Sequence, residues 1–271
     1  MKPVPARNDS QSPSTVQPYG PRGLYRIGGA AALIAALVFR RNWSAELSLL
    51  RLLDVLQVGP TEPPAGAAAW FELLQHHPLI GMTHLNIFDL VNYALVGLML
   101  LALHASLRRV APTLAPLALG CGGAGVSVAL ASNQAFAMLS LSARYAAAGT
   151  EVERTELLAA GQALLAIDSP GVPPGAGAAI ALLLVTVGSV LMAAAMVRSR
   201  VFRPAIGYLG MVAEVVQLGY FVTLAVAPSL AALPPSLAAP FRLVWYVLTG
   251  RRLLQLAAAE SDPPRRPDPW G

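Results

Sequence analysis

Residues Leu85–Arg109, which read LNIFDLVNYALVGLMLLALHASLRR, decide the class of fold to which this chain belongs. An α-helix rises about 1.5 Å per residue, so about 20 apolar residues are needed to cross a hydrocarbon core of about 30 Å. This stretch is long enough, and it ends in two arginines, as membrane helices often do at the cytoplasmic surface. We therefore predict a membrane-spanning helix over Leu85 to Leu107.

The composition of the whole chain agrees with a membrane protein. Of the 271 residues, 55% are hydrophobic and 12% are charged, whereas soluble domains contain about 25% charged residues. The net charge of +5 comes from arginines at the ends of apolar runs, which favours membrane topology signals over a nucleic-acid partner. The single cysteine, Cys121, excludes an intramolecular disulfide and any CxxC site.

The hydropathy pattern predicts an all-α integral membrane bundle of six transmembrane helices. The first span is short and contains Arg26, so it crosses only if Arg26 and Arg40 reach opposite interfaces. We predict a transmembrane domain over residues 24–258, flanked by disordered cytoplasmic tails at 1–23 and 259–271. The six predicted spans are residues 24–39, 85–107, 112–136, 175–197, 204–227 and 236–256.

The distribution of basic residues predicts that both termini are cytoplasmic, in an inner (plasma) membrane. With six spans and the N-terminus inside, thirteen basic residues lie on the cytoplasmic side and five on the outside. If the first segment did not cross, each side would hold nine and the bias would vanish. The thirteen are Lys2, Arg7, Arg22, Arg26, Arg108, Arg109, Arg198, Arg200, Arg203, Arg251, Arg252, Arg265 and Arg266.

Two longer loops, residues 41–84 and 144–174, are then expected on the outside, and both contain amphipathic helices. The predicted helices lie at 44–58, 65–77 and 150–167. In the last of these, Thr150 and Glu153 have capping-box spacing and the leucines form one apolar side. The run Gly120–Ser132, GCGGAGVSVALAS, predicts a face of small residues for close helix packing.

Two charged residues are predicted near the middle of the bilayer. Glu214 lies 11 residues from Arg203, or about 16 Å along a helix. Arg242 lies 9 residues from Arg251, or about 13 Å. Such a pair either fixes how two helices pack or forms a binding or proton-transfer site, and both interpretations remain open.

Further polar residues extend this candidate site. Gln217 follows Glu214 by one helical turn, and Asp89, Asn92 and Asn133 lie at or near the predicted outer interface. If these side chains converge, they line a pocket that is open to the outside. The alternative is an ordinary wetted interface.

Other chemistry is poorly supported by the sequence. His76, His77 and His84 are close in the chain, but Pro78 separates them and no supporting carboxylate motif is present. We expect no metal, no cofactor and no catalytic residues. An enzyme is therefore the least favoured class of function.

Three segments resemble an uncharacterised family of bacterial membrane proteins, the domain of unknown function 4386. They are NQAFAMLSLSARYAAAGTEVERTELLAAGQALLA (Asn133–Ala166), GYLGMVAEVV (Gly207–Val216) and LVWYVLTGRRLLQL (Leu243–Leu256). The resemblance covers most of Arg22–Ala258 and implies a multi-helix bacterial membrane protein without an assigned activity. The polar residues and the outer helices lead us to expect one of two functions. The first is binding or transport of a small molecule or lipid in the polar pocket, and the second is a structural role in which the outer helices dock a membrane protein partner.

Overall fold

The computed structural model describes residues 21–55, 63–167 and 175–259, and within 40–55 it describes only the backbone. Within these ranges the chain is all-helical and contains no strand. The two predicted tails lie almost entirely outside the described residues. The helices are α1 (Pro21–Val55), α2 (Ala67–His76), α3 (Pro78–His84), α4 (Ile87–Leu107), α5 (Leu114–Ser132), α6 (Ala135–Ala147), α7 (Glu151–Ile167), α8 (Ala176–Arg198), α9 (Pro204–Val226) and α10 (Leu233–Ala259).

Five of the described segments are long and apolar enough to cross a membrane. They are Arg22–Phe39 within α1, α4, the continuous stretch Leu114–Ala147, α8 and α9. The all-helical class and the membrane character are thereby confirmed, but the count of six spans is not. The predicted sixth span lies in α10, whose internal arginines and prolines lower its hydropathy below that of the other five.

The long helices contact one another in a closed order. Helix α1 packs between α4 and α10, α5 packs between α4 and α8, and α9 packs between α8 and α10. Their shared core contains Met99, Leu103, Met192, Trp245 and Leu253, all fully buried. Helix α10 is therefore part of the same packed body as the five apolar helices.

The predicted small-residue face is confirmed at the contact between α5 and α8. A Cβ atom built on Gly125 would lie 2.7 Å from the backbone nitrogen of Val185, and one built on Gly188 would lie 2.5 Å from that of Gly122. These distances are far below ordinary van der Waals contact, so the two backbones touch only because side chains are absent. Such close approach is a common basis of helix association in membranes.

Two of the three predicted outer helices, those at 65–77 and 150–167, fold with two further helices into a separate layer with its own core, which we call the cap. The cap consists of α2, α3, α6 and α7, and its core includes Trp70, Phe71, Met138 and Leu165. The hydroxyl group of Ser142 donates a hydrogen bond to the carbonyl oxygen of Phe71, 2.9 Å away. These contacts tie α6 to α2, so the segments between the long helices are packed structure.

The N-terminus of α7 confirms the predicted capping box. The backbone N–H of Glu153 donates to the hydroxyl of Thr150 at 3.2 Å, and a carboxylate oxygen of Glu153 accepts the backbone N–H of Gly149 at 3.3 Å. Both bonds satisfy amide groups near the start of the helix.

Two predicted boundaries differ in the structure. The helix in the span placed at 112–136 ends at Ser132, although the apolar stretch continues to Ala147. Asn133 adopts an extended conformation, and its side-chain oxygen accepts the N–H of Ala135 at the start of α6. The first apolar span ends at Phe39, as predicted, but the helix that contains it does not, because α1 continues to Val55. Most of the helix predicted at 44–58 is therefore the last part of α1 and not a separate element.

The glycine contact predicts a position-dependent effect of one extra methyl group. Gly125→Ala should lower the stability by about 1–3 kcal/mol, because the methyl meets the backbone of α8. Gly123→Ala is the matched control, since a Cβ atom there has no neighbour within 4 Å and alanine favours the helix by about 1 kcal/mol. Thermal unfolding in one detergent measures both, and equal melting temperatures for the two variants would contradict the packing described here.

Candidate functional site

Glu214 and Arg242 form a two-point ion pair between α9 and α10. The Arg242 Nε atom donates to Glu214 Oε1 at 2.8 Å, and Nη2 donates to Oε2 at 2.9 Å. The side chains are only 3% and 11% exposed, respectively. Such parallel hydrogen bonds are among the strongest that a guanidinium and a carboxylate can form. The predicted charges in the apolar helices are therefore paired.

Aromatic rings surround the guanidinium group. Its central carbon lies 5.6 Å from the centre of the Phe39 ring, which is within the range of a cation–π interaction. The ring of Tyr246, one helical turn after Arg242, lies 6.3 Å from that of Phe39. Helix α1 thus contributes to the surroundings of a pair formed by two other helices.

The close packing of α9 on α10 sets the relative positions of the two charges. A Cβ atom on Gly210, one turn before Glu214, would lie 2.7 Å from the indole nitrogen of Trp245. Trp245 is fully buried and lies almost one turn after Arg242. Glycine at position 210 allows the tryptophan to lie against α9, and this contact holds the two helices in register beside the ion pair.

The ion pair forms part of the wall of a cavity of about 250 Å³. The cavity lies among α1, α4, α8, α9 and α10, so that five of the long helices contribute to it. Apolar side chains form part of its surface and polar side chains the rest. The lining residues are Phe39, Asp89, Asn92, Tyr93, Val96, Leu182, Val185, Thr186, Ser189, Glu214, Arg242 and Tyr246.

Several polar groups face this cavity. Among the described residues, none forms a hydrogen bond with Asn92 Oδ1, and Thr186 and Ser189 add hydroxyl groups to the same wall. An unpartnered buried hydroxyl or amide costs about 1–3 kcal/mol in proteins. The cavity is therefore suited to water or to a polar ligand that replaces it.

The structure brings together four of the six predicted site residues. Asp89 and Asn92 line the cavity with Glu214 and Arg242. Gln217 is buried, with 3% exposure, but it does not line the cavity. Asn133 also lies outside the cavity, because its side chain caps α6.

Sequence reasoning missed several cavity residues, and helical spacing could have found three of them. Tyr93 and Val96 follow Asp89 at intervals of four and three, and Tyr246 follows Arg242 by four. Thr186 and Ser189 have the same spacing within the apolar α8, where they resemble ordinary small packing residues. The missing information was which face of α8 turns toward Glu214.

The histidines of the cap have a structural environment. The rings of His84 and Trp70 pack edge to face with their centres 6.2 Å apart. Within the described part of the chain, no group of three or more histidine, cysteine, aspartate or glutamate residues is arranged to hold a metal ion.

Comparison with known proteins gives no relative: no protein-family model matches the chain, and no curated protein or solved structure matches it. The resemblance to the domain of unknown function 4386 therefore stays a prediction.

The ion pair predicts strong energetic coupling between its two positions. Arg242→Gln alone should destabilise the protein by about 3–5 kcal/mol, since it leaves a buried carboxylate without its partner, and Glu214→Gln alone should also be destabilising. The double variant Glu214→Gln/Arg242→Gln should lose clearly less than the sum, because two neutral amides can hydrogen-bond to each other. Unfolding of all four proteins in detergent measures the coupling, and strictly additive losses would contradict it.

Proposed function

We propose that this chain is a multi-pass protein of a bacterial inner membrane that crosses the bilayer six times and binds a small polar molecule in the cavity at the Glu214–Arg242 pair. Both termini are then cytoplasmic and the cavity opens toward the outside. The observation that carries this proposal is the cavity itself, whose polar wall combines the buried ion pair with the unpartnered Oδ1 atom of Asn92 and two hydroxyl groups.

The packing of α10 supports a sixth span. Helix α10 has 27 residues, or about 40 Å at the rise of an α-helix, which exceeds the hydrocarbon thickness. Arg242 is paired with Glu214, and Arg251 and Arg252 lie near the C-terminal end of the helix. The arginines that lower the hydropathy of α10 are thus either paired with a carboxylate or located near the headgroup region.

The arginines of the long helices support the orientation. Nine of them lie at the start of α1, the end of α4, the loop between α8 and α9 and the end of α10, and the helix directions bring these points to one end of the packed body. Arg40, Arg41 and Arg51 follow the apolar span of α1. Within the described residues, none of these helix ends carries an aspartate or a glutamate. Such an excess of arginine is typical of the cytoplasmic side. The arginines are Arg22, Arg26, Arg108, Arg109, Arg198, Arg200, Arg203, Arg251 and Arg252.

The cavity wall also indicates the chemical class of the ligand. Asn92 Oδ1 accepts a hydrogen bond, whereas the hydroxyl groups of Thr186 and Ser189 both donate and accept. Because Val96, Leu182 and Val185 supply apolar surface, the best-suited ligand has hydroxyl or amide groups on a short carbon skeleton. The cavity volume of about 250 Å³ suits a small molecule.

A structural or assembly role remains the second proposal, and the structure makes it less favourable. In this role the outer helices, including the segment 150–167, dock a partner. In α7, however, Leu157 and Leu165 are buried, and Leu158 and Leu164 pack on the core of the cap. A partner would therefore have to bind the exposed polar side of α7, which includes Glu151, Glu153 and Glu156.

The topology can be tested with single cysteines in a Cys121→Ser background. Six spans predict that cysteines introduced at Ser10 and Ser261 react with a membrane-impermeant maleimide only after permeabilisation of spheroplasts. A cysteine at Gly149, beside the cap helix α7, is the accessible control. Labelling of only one of the two terminal positions in intact spheroplasts would show an odd number of spans and contradict the proposal.

Ligand binding can be tested by native mass spectrometry of protein extracted in mild detergent from its own membranes. We expect a small-molecule adduct on the wild-type protein. Asn92→Leu and Ser189→Ala should each reduce its occupancy, with an affinity loss of about five-fold for one hydrogen bond of about 1 kcal/mol.

The matched control for this test is Ser127→Ala, because Ser127 lies exposed on α5, away from the cavity. It carries the same chemical change and should leave the adduct unaffected. Absence of any adduct on the wild type, or an adduct that all variants retain equally, would remove the binding proposal. A co-purifying protein in place of the adduct, lost on deletion of 150–166, would favour the assembly role.

A further inference from the structure

A second and larger cavity, of about 670 Å³, lies at the arginine-rich end of the long helices. The loop between α8 and α9 forms one side and the last part of α10 forms the other. Four of the residues that line it are arginines, namely Arg200, Arg203, Arg251 and Arg252, and its lining contains no acidic residue. The electrostatic potential in this cavity is therefore strongly positive.

Three of these arginines are available to a ligand. Arg252 is engaged, because its Nε atom donates to the carbonyl oxygen of Val201 at 2.9 Å and holds the loop against α10. Arg200, Arg203 and Arg251 are exposed, and none of them pairs with a carboxylate within the described residues. Three exposed guanidinium groups thus line the cavity, and the fourth holds the loop that forms one side of it.

The start of α9 adds to the positive potential. Its first turn contains no acidic residue and no side-chain cap. Pro204 has no N–H and the N–H of Ile206 donates to the carbonyl oxygen of Arg203 at 2.9 Å, so the contribution is mainly that of the helix dipole. Helix N-termini attract anions, because their free N–H groups and the helix dipole both point toward them. This helix end, at Arg203 and Pro204, forms part of the cavity wall.

The position of the cavity relates it to the membrane surface. Tyr208, one turn into α9, is 57% exposed, and exposed tyrosines of membrane helices favour the headgroup region. Phe202, in the loop, is buried at 2% exposure and anchors the loop to the core. Basic pockets between helices at this depth suit the headgroups of anionic phospholipids.

We propose that this cavity binds a phosphate group through Arg200, Arg203 and Arg251, and that an anionic phospholipid headgroup supplies it. A soluble phosphate compound shares the same chemistry and is the other source that the test separates. The site is distinct from the polar cavity at Glu214 and does not depend on the function proposed for it.

The full chain is reconstituted in nanodiscs of phosphatidylcholine alone or of phosphatidylcholine with phosphatidylglycerol. In a third arm, inorganic phosphate is added to the nanodiscs of phosphatidylcholine alone. Retained phosphatidylglycerol is counted by native mass spectrometry after release from the nanodisc, and thermal unfolding is measured in all arms. We expect selective retention of phosphatidylglycerol by the wild type. Arg200→Gln/Arg203→Gln should weaken it on the order of twenty-fold, since each replacement removes a charge-assisted hydrogen bond to the phosphate group in the cavity.

Two further variants separate this site from general charge effects. Arg108→Gln/Arg109→Gln removes the same charge from the same end of the bundle, but these arginines do not line the cavity, so phosphatidylglycerol retention should change little. Arg200→Lys/Arg203→Lys keeps the charge and should preserve most of the binding. Stabilisation by inorganic phosphate alone, lost in Arg200→Gln/Arg203→Gln, would support the phosphate site and assign it to a soluble ligand. Equal loss in both glutamine variants, or no phosphate effect in any arm, would overturn the proposal.

Discussion

The ion pair between Glu214 and Arg242 constrains the rest of this structure, because each charge would be costly in hydrocarbon without the other. Its geometry requires that α9 and α10 lie side by side in one register, with the carboxylate and the guanidinium at the same depth. The close contact of Gly210 with Trp245 provides that register. Phe39 then covers the cation from α1, which brings the first and the last long helices together.

A buried ion pair of this kind contributes to specificity more than to net stability, since desolvation offsets much of the Coulomb attraction. Van der Waals packing supplies the stability, especially where glycines allow backbones to touch. Gly29 and Gly250 allow it between α1 and α10, and Gly125 and Gly188 between α5 and α8. Such contacts restrict how the helices can be arranged. The cavity at Glu214 and Arg242 lies where polar side chains take the place of tight apolar packing.

Much of this could be predicted from the sequence, because hydrophobic runs and arginine positions report on the membrane directly. The depth count from Arg203 and Arg251 placed Glu214 and Arg242 at one level, and the structure joins them. Asn133 was assigned to the pocket because it is polar and lies near the predicted outer interface, and Gln217 because it follows Glu214 by one helical turn. Depth does not define the rotation of a helix about its axis, so the local capping role of Asn133 and the cavity positions of Thr186 and Ser189 could not be derived. The number of spans is not fixed by the sequence for a similar reason. Hydropathy counts Arg242 in α10 as an unpaired charge, whereas the structure pairs it with Glu214.

The division into a cap and a body of long helices has a consequence for how the protein unfolds. Each part has its own buried core, and they are joined mainly through the contact of α3 with α4 and through short connections such as Asn133 and Gln134. Local opening in proteins follows such units, so the two parts form separate cooperative blocks. Trp70 is buried in one and Trp245 in the other, with 2% and 0% exposure. The molecule therefore carries an intrinsic fluorophore in each block, and their emission can register the loss of one core while the other remains intact.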